Sequence, residues 1–390
     1  MNISYRKTAN GICVERCYTL DNKLVIPDTI EGLPVTELDT YTFSQTVRRR
    51  EQPAVEREGE PEMCGEVLEE LTLPEHLEKV GAYAFYNCFH LKKISCCSTV
   101  KDWGAGVFTG CTRITELDIR IFPEVKSSFK EILSELRQML VVDYRDEQGK
   151  LLAKLIFPEF FEESIENTPA RIIMREMHGC GHMYRYCFSG TDFQFWEYDK
   201  LLPTAEILES PVLVCRMALY RLYWPKGLTE EWKEEYWKYI KKHPEEAAKG
   251  LAERGEREIL SWLAQKKETD VRMIEQMIQA AAGLGDAQVL AILMDARHKS
   301  VGRRRAVNRS PSPALLNYRR GGKSNVQENK STGVTGAAYL VCPTYWKRCT
   351  RPQGKGFQIL RRLQKSSLTQ EKQSVKCVKE AVHMLKKARL

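Results

Sequence analysis

Between Leu68 and Ile119 the chain repeats itself every 23 residues, and few folds are compatible with that. Leu68 returns as Leu91 and Ile114, Leu71 as Ile94 and Leu117, and Leu73 as Cys96 and Ile119. In the same register Val80 returns as Trp103, Phe85 as Phe108 and Cys88 as Cys111. A fixed period of this length, with apolar residues in matched columns, marks units that stack because none can bury its apolar side alone. Leu71 and Leu73 stand two apart, so a short strand turns both inward while Glu70 and Thr72 point out. Pro74 has no amide proton to give to a ladder and ends that strand. The chain then turns, and Phe85 comes back over the interior to close the coil. Cys88 and Cys111 are expected one above the other at the strand spacing of ~4.7–4.9 Å, reduced and buried, since a small soft side chain suits a crowded column.

These segments, with Ala84-Phe85-Tyr86-Asn87-Cys88 and Val107-Phe108-Thr109-Gly110-Cys111, resemble the bacterial BspA-type leucine-rich repeat. The run from Ile26 to Leu38, closing at Phe43, resembles a first repeat of the same family. The resemblance covers about residues 20–120 and implies a solenoid used for protein recognition rather than catalysis. It is interrupted at 44–67, where Arg48-Arg49-Arg50-Glu51 and Glu56-Arg57-Glu58-Gly59-Glu60 show no apolar period and read as a charged, mobile insertion.

The net charge of +8 hides two unlike parts. From Lys299 onward there are 22 Lys and Arg against 3 Asp and Glu, while residues 1–298 hold 38 basic and 49 acidic side chains. Any attraction to nucleic acid or another polyanion therefore rests on the tail alone. With 43% hydrophobic residues the chain as a whole can bury a sizeable core. The tail sets its arginines among Ser, Gly, Asn and Pro, and only stretches near 357–364 and 371–388 suit helices. Such an abrupt change fits a polyanion-binding arm, unstructured filler, or sequence from an altered reading frame. No apolar leader opens the sequence and no run of ~20 apolar residues spans a bilayer. Thirteen cysteines without a secretory leader read as reduced, mostly buried thiols, which places the protein in the cytoplasm.

Past Phe122 the period is lost. Val125–Leu136 has a helical pattern, and Met139–Arg145 with Leu151–Phe157 reads as a hairpin about a polar turn containing Gly149. Pro211–Leu222 reads as a helix; Thr229 caps another whose Trp232, Tyr236, Tyr239 and Ile240 share a face. Pro244 starts a helix that Gly255 ends. Thr269-Asp270 opens one ended by Gly283-Leu284-Gly285, and Asp286 caps a partner running to about Arg297. The expected class is α+β: a short leucine-rich repeat solenoid at 1–122, a mixed α/β segment at 123–208, antiparallel helix pairs at 209–298, and a disordered basic tail at 299–390.

No constellation meets the demands of catalysis or cofactor binding, so no catalytic, cofactor or metal residues are assigned. His178, Cys180, His182 and Cys187 are the best metal candidates, but their spacing fits no common finger and their aromatic neighbours favour a packed loop. Cys13, Cys17, Cys96 and Cys97 read as structural thiols. Gly322-Lys323-Ser324 lacks the first glycine of a phosphate loop, since position 317 is Asn317. The aromatic set Phe193, Phe195, Trp196 and Tyr198 reads as core. Three functions compete. The favoured one is a non-catalytic scaffold that binds an unidentified protein through the outward strand positions Glu70, Thr72, Lys93, Ser95, Glu116 and Asp118. A polyanion binder acting through the tail is second, and an enzyme housed in 123–208 is third.

Overall fold

The computed structural model describes residues 1–45, 59–123, 125–167 and 172–309. Strands β1 (Asn2–Thr8) and β2 (Gly11–Tyr18) open the chain as an antiparallel hairpin. There follow β3 (Lys23–Val25), β4 (Thr29–Ile30), β5 (Leu33–Leu38), β6 (Glu70–Thr72), β7 (Lys79–Val80), β8 (Lys93–Cys97), β9 (Asp102–Trp103) and β10 (Glu116–Arg120). Apart from β4, which pairs antiparallel with β5, they go alternately to two sheets. In one, β3, β6, β8 and β10 pair in parallel; in the other, β2, β5, β7 and β9 do. This is a β-solenoid, in which one 23-residue period advances the chain by one strand in each sheet.

The matched columns of the sequence become matched columns of the core. Leu24, Leu71, Ile94 and Leu117 are register partners on successive strands, and none is more than 2% exposed. Behind them the rings of Phe43, Phe85 and Phe108 form one stack, with 5.6 Å between successive centroids. The expected pair of phenylalanines is therefore part of a column that starts with Phe43. On the side where the coils turn, backbone amides bond along the solenoid axis: Phe43 to the Ala84 carbonyl, Phe85 to Val107 and Asn87 to Thr109. The buried thiols join this pattern. Cys88 donates to the Phe43 carbonyl at 3.4 Å and Cys111 to the Phe85 carbonyl at 3.0 Å. Cysteine suits that column because it is small, apolar and still able to donate. The hydrogen bond with Cys111, together with burial, holds the Cys88 thiol well above its ordinary pKa. Gly81 and Gly104 let the coils approach closely, since a Cβ on Gly104 would lie 2.3 Å from the Ala82 nitrogen.

The sheet carries on past the last repeat. Helix α1 (Phe129–Glu135) buries Phe129, Ile132 and Leu133. Then β11 (Leu140–Arg145) joins β10 in parallel, with Val142 opposite Leu117, so the apolar column gains another rung. Strand β12 (Leu151–Phe157) returns antiparallel, as the hairpin reading expects. A second hairpin, β13 (Phe161–Asn167) with β14 (Ile172–His178), follows. Next come α2 (Gly181–Arg185), the short pair β15 (Phe188–Ser189) and β16 (Asp192–Phe193), α3 (Phe195–Asp199) and α4 (Leu202–Leu208). Phe193 and Tyr198 pack edge-on against Phe157, and Phe193 also meets Phe129, so these two are core as expected. Trp196 is not: it is 49% exposed, beside the Lys200 ammonium.

Six helices complete the body: α5 (Pro211–Tyr223), α6 (Glu230–Lys242), α7 (Pro244–Glu253), α8 (Arg257–Gln265), α9 (Val271–Leu284) and α10 (Ala287–Arg309). Their starts are where the capping residues put them, with Ser210, Thr229 and Asp270 each accepting a backbone N–H three residues on. Gly255 and Gly285 adopt positive φ at the ends of α7 and α9. Helix α5 packs on α7, α7 on α9 and α8 on α10, while α5 also packs on β12. Two polar anchors hold these layers. Arg185 donates to the carbonyls of Leu136, Gln138, Pro158 and Gly181. Arg221 forms a two-pronged ion pair with Asp199 at 2.7 and 2.9 Å, and Tyr236 donates to the same carboxylate at 2.8 Å.

Two expectations need adjusting. The charged excursion is narrower than 44–67, because Met63 donates to the Cys17 carbonyl and Gly65 to that of Phe43. Its arginine-rich part lies outside the described residues. Helix α10 runs through Arg303-Arg304-Arg305 to Arg309 instead of stopping near Arg297; the stretch holds Gly302 but no proline, and its four arginines and Ala306 favour helix. The rest of the tail, with the stretches at 357–364 and 371–388, lies outside the described residues.

Candidate interaction surface

Strand alternation sends Glu70, Lys93 and Glu116 out of the sheet along one row, and Thr72, Ser95 and Asp118 along the next. The sequence-derived ladder is thus in register across β6, β8 and β10. Glu116 is exposed and the other five are half-buried. The first row begins one strand earlier with Lys23, so positive and negative side chains alternate along it. Opposite charges facing each other across strands are favourable, and Lys23 reaches Glu70 at 2.6 Å.

The second row runs further, through Asp143 on β11 to Lys154 on β12. Asp118 and Asp143 stand directly opposite each other, an arrangement that repels unless cations intervene. They do: Arg145 contacts Asp118 at 2.7 Å and Asp143 at 3.5 Å, and Lys154 contacts Asp143 at 3.5 Å. The hydrogen bond to Asp118 raises the pKa of Arg145 above its usual value. Sequence reasoning missed Asp143, Arg145 and Lys154. The alternation of Asp143 and Arg145 with Leu140, Val142 and Tyr144, and the hairpin that brings Lys154 back, were readable as strands, but not their attachment to the last repeat.

The helices cover one end of this face. Arg216 and Tyr220 on α5, with Arg254 and Glu256 from the α7–α8 connection, meet Lys93, Glu116, Asp118, Asp143 and Lys154 around a cavity of about 290 Å³. The Lys154 ammonium lies 5.3 Å from the Tyr220 ring centre and 5.9 Å from that of Trp224. Arg216 donates to the Tyr220 hydroxyl at 3.2 Å, and that hydroxyl donates to Glu256. Burial raises the pKa of Tyr220, which keeps it a donor. The outer face is therefore an open mixed-charge ladder at its β3–β6 end and a walled cleft at its β10–β12 end.

The residues weighed for metal binding are dispersed among other partners. His178 stacks on Phe161 and bonds Glu163 at 3.0 Å, while Cys180 donates to Glu209 at 3.0 Å. Burial, and then Glu209, push the Cys180 thiol far above its ordinary pKa. Cys187 faces the Met183 carbonyl, and His182 packs near Phe160. Among the described residues, the ligand atoms of Glu163, Glu176 and His178 lie within 4.8 Å of one another on the β13–β14 hairpin. Both glutamates there are exposed, and the cluster is accounted for by the Glu163–His178 pair. Gly322-Lys323-Ser324 lies outside the described residues.

Residues 63–139 match the family model described as BspA type leucine rich repeat region (6 copies). Over that stretch the chain is similar to the BspA-type leucine-rich repeat. The match spans β6 to the residue before β11, so it contains all six ladder residues. Structurally the repeat reaches beyond it, to β3 and Phe43 on one side and β11 on the other. No curated protein and no solved structure matched the chain.

Proposed function

We propose that the chain is a non-catalytic protein-interaction scaffold of the cytoplasm, and that its partner sits on the outer sheet face around Glu70, Thr72, Lys93, Ser95, Glu116 and Asp118. The observation that carries this reading is the coincidence of the matched repeat with those strands. A solenoid holds its outward side chains at fixed strand spacing on a backbone braced by the core beneath, which suits recognition of a surface rather than turnover of a substrate. A reducing compartment agrees with buried, unbridged thiols at Cys13, Cys17, Cys88, Cys96, Cys111 and Cys215. No helix of the described residues is long and apolar enough to cross a membrane.

Site-specific photocrosslinking tests the proposal. A crosslinker at Thr72 or Ser95 is expected to capture one defined protein in cells, and Lys93→Glu is expected to abolish capture. The same crosslinker at Lys101, beside β9 in the other sheet, should give none. Equal capture from all three positions, or none from Thr72 and Ser95, would remove the sheet face as the partner surface.

A further inference from the structure

We infer that the cleft at the β10–β12 end of the face receives a neutral carboxamide, the side chain of an Asn or Gln presented by the partner. The inference rests on the sheet face being the partner surface and names what that partner brings. Four cationic and four anionic side chains line the cavity, so an ion of either sign gains little from the wall as a whole. Asp118 and Asp143 are already satisfied by Arg145 and Lys154.

Two atoms are not. Arg216 is only 6% exposed, yet its Nε–H has no acceptor, and Glu256 Oε2 is buried with no donor. Both residues bond the Tyr220 hydroxyl through their other polar atoms, so the open donor and the open acceptor flank one anchored oxygen. The fold makes room for this. The Arg216 stem crosses α7 at Gly250, where a Cβ would lie 2.9 Å from Arg216 Cγ. A buried donor beside a buried acceptor is satisfied by a group offering one of each, and an amide does so without adding charge. A carboxylate would leave Glu256 facing another acceptor. An ammonium would leave Arg216 facing another donor. The volume of about 290 Å³ falls just below the range of about 300–1,000 Å³ for ligand pockets, which suits one inserted side chain rather than a whole ligand.

The test is selection of a displayed random-peptide library on the full chain, followed by affinity measurements on synthetic peptides from the enriched clones. Enriched peptides should share an Asn or Gln at one position, and changing it to Glu or norleucine should weaken binding at least about tenfold. Glu256→Gln supplies the decisive variant because it keeps shape and volume. Its amide oxygen would turn to the Tyr220 hydroxyl and its NH2 to the cavity, so the Glu-bearing peptide should now bind better than the Gln-bearing one. Arg216→Met should weaken both peptides; if that variant fails to fold, the Glu256→Gln reversal decides alone. An unchanged preference in Glu256→Gln, no fixed amide position, or no enriched peptide would overturn the inference. Peptides that respond to Thr72→Arg but to neither cavity variant would overturn it while leaving the sheet face as the partner surface. Peptides indifferent to all three variants would count against both readings.

Discussion

The solenoid and the segment that follows it are both well-packed, but they are held together by different means. In the solenoid each coil repeats the solution of its neighbour: a Leu or Ile facing in, a phenylalanine on the stack, a thiol against the carbonyl of the preceding coil. No single residue there is unique. From α1 onward the joints are unique. Tyr198 and Asp199 are adjacent on α3, yet one bonds the Ile156 backbone of β12 and the other takes Arg221 from α5 and Tyr236 from α6. Damage should therefore stay local in the repeat and spread in the segment built on single joints.

The two largest effects are expected to be equal in size and different in reach. Phe85→Ala empties a fully buried ring site between Phe43 and Phe108 and should cost about 3–5 kcal/mol. Asp199→Ala leaves Arg221, which is 0% exposed, with an uncompensated charge and should also cost about 3–5 kcal/mol. Native-state hydrogen exchange separates them. Phe85→Ala should loosen amides of β6, β8 and their flanking turns. Asp199→Ala should loosen α3, α5 and α6 together. Identical exchange maps would show one cooperative unit and erase the contrast.

Alkaline pH should act on both regions alike. Burial pushes Cys17 in the solenoid and Cys187 beside the aromatic cluster up to about 12. An unfolded thiol loses its proton near pH 8.5, whereas these hold theirs until about pH 12. In that window the folded state binds more protons than the unfolded one, so stability is complete below it and falls as pH rises. Each thiol should lower it by about 1.4 kcal/mol per pH unit. Urea melts at pH 8 and pH 10 in reductant measure this, and Cys17→Ala should flatten the dependence. Melts that coincide at the two pH values would mean that the thiols are open to solvent.

The smallest effects come from glycines. Gly149, at φ 81° in the β11–β12 turn, has nothing within 4 Å of where a Cβ would stand. Gly149→Ala should cost about 1 kcal/mol, the strain of the left-handed conformation alone. Gly110 has a similar φ of 84°, but a Cβ there would lie 2.3 Å from Asn87 Oδ1 in the coil before. Gly110→Ala should cost more than Gly149→Ala by thermal melt. Equal costs would mean that the coils part freely at that column.

What the sequence determined by itself was whatever carries its own register. Aligning the chain with itself placed Leu71, Ile94 and Leu117 on neighbouring strands, set Phe85 above Phe108, and turned Glu70, Lys93 and Glu116 outward together, all of which the ladder realises. Helix starts at Thr229 and Asp270 were equally legible, because a cap is a contact between residues three apart. Long-range packing set β11 on the edge of the repeat sheet and α5 as the wall at one end of the face. It alone brought Arg216 and Glu256 to either side of Tyr220. Those pairings join elements far apart in the chain that do not resemble each other. Such elements meet through a unique match of shape, charge and hydrogen bonds, and no period in the sequence records it.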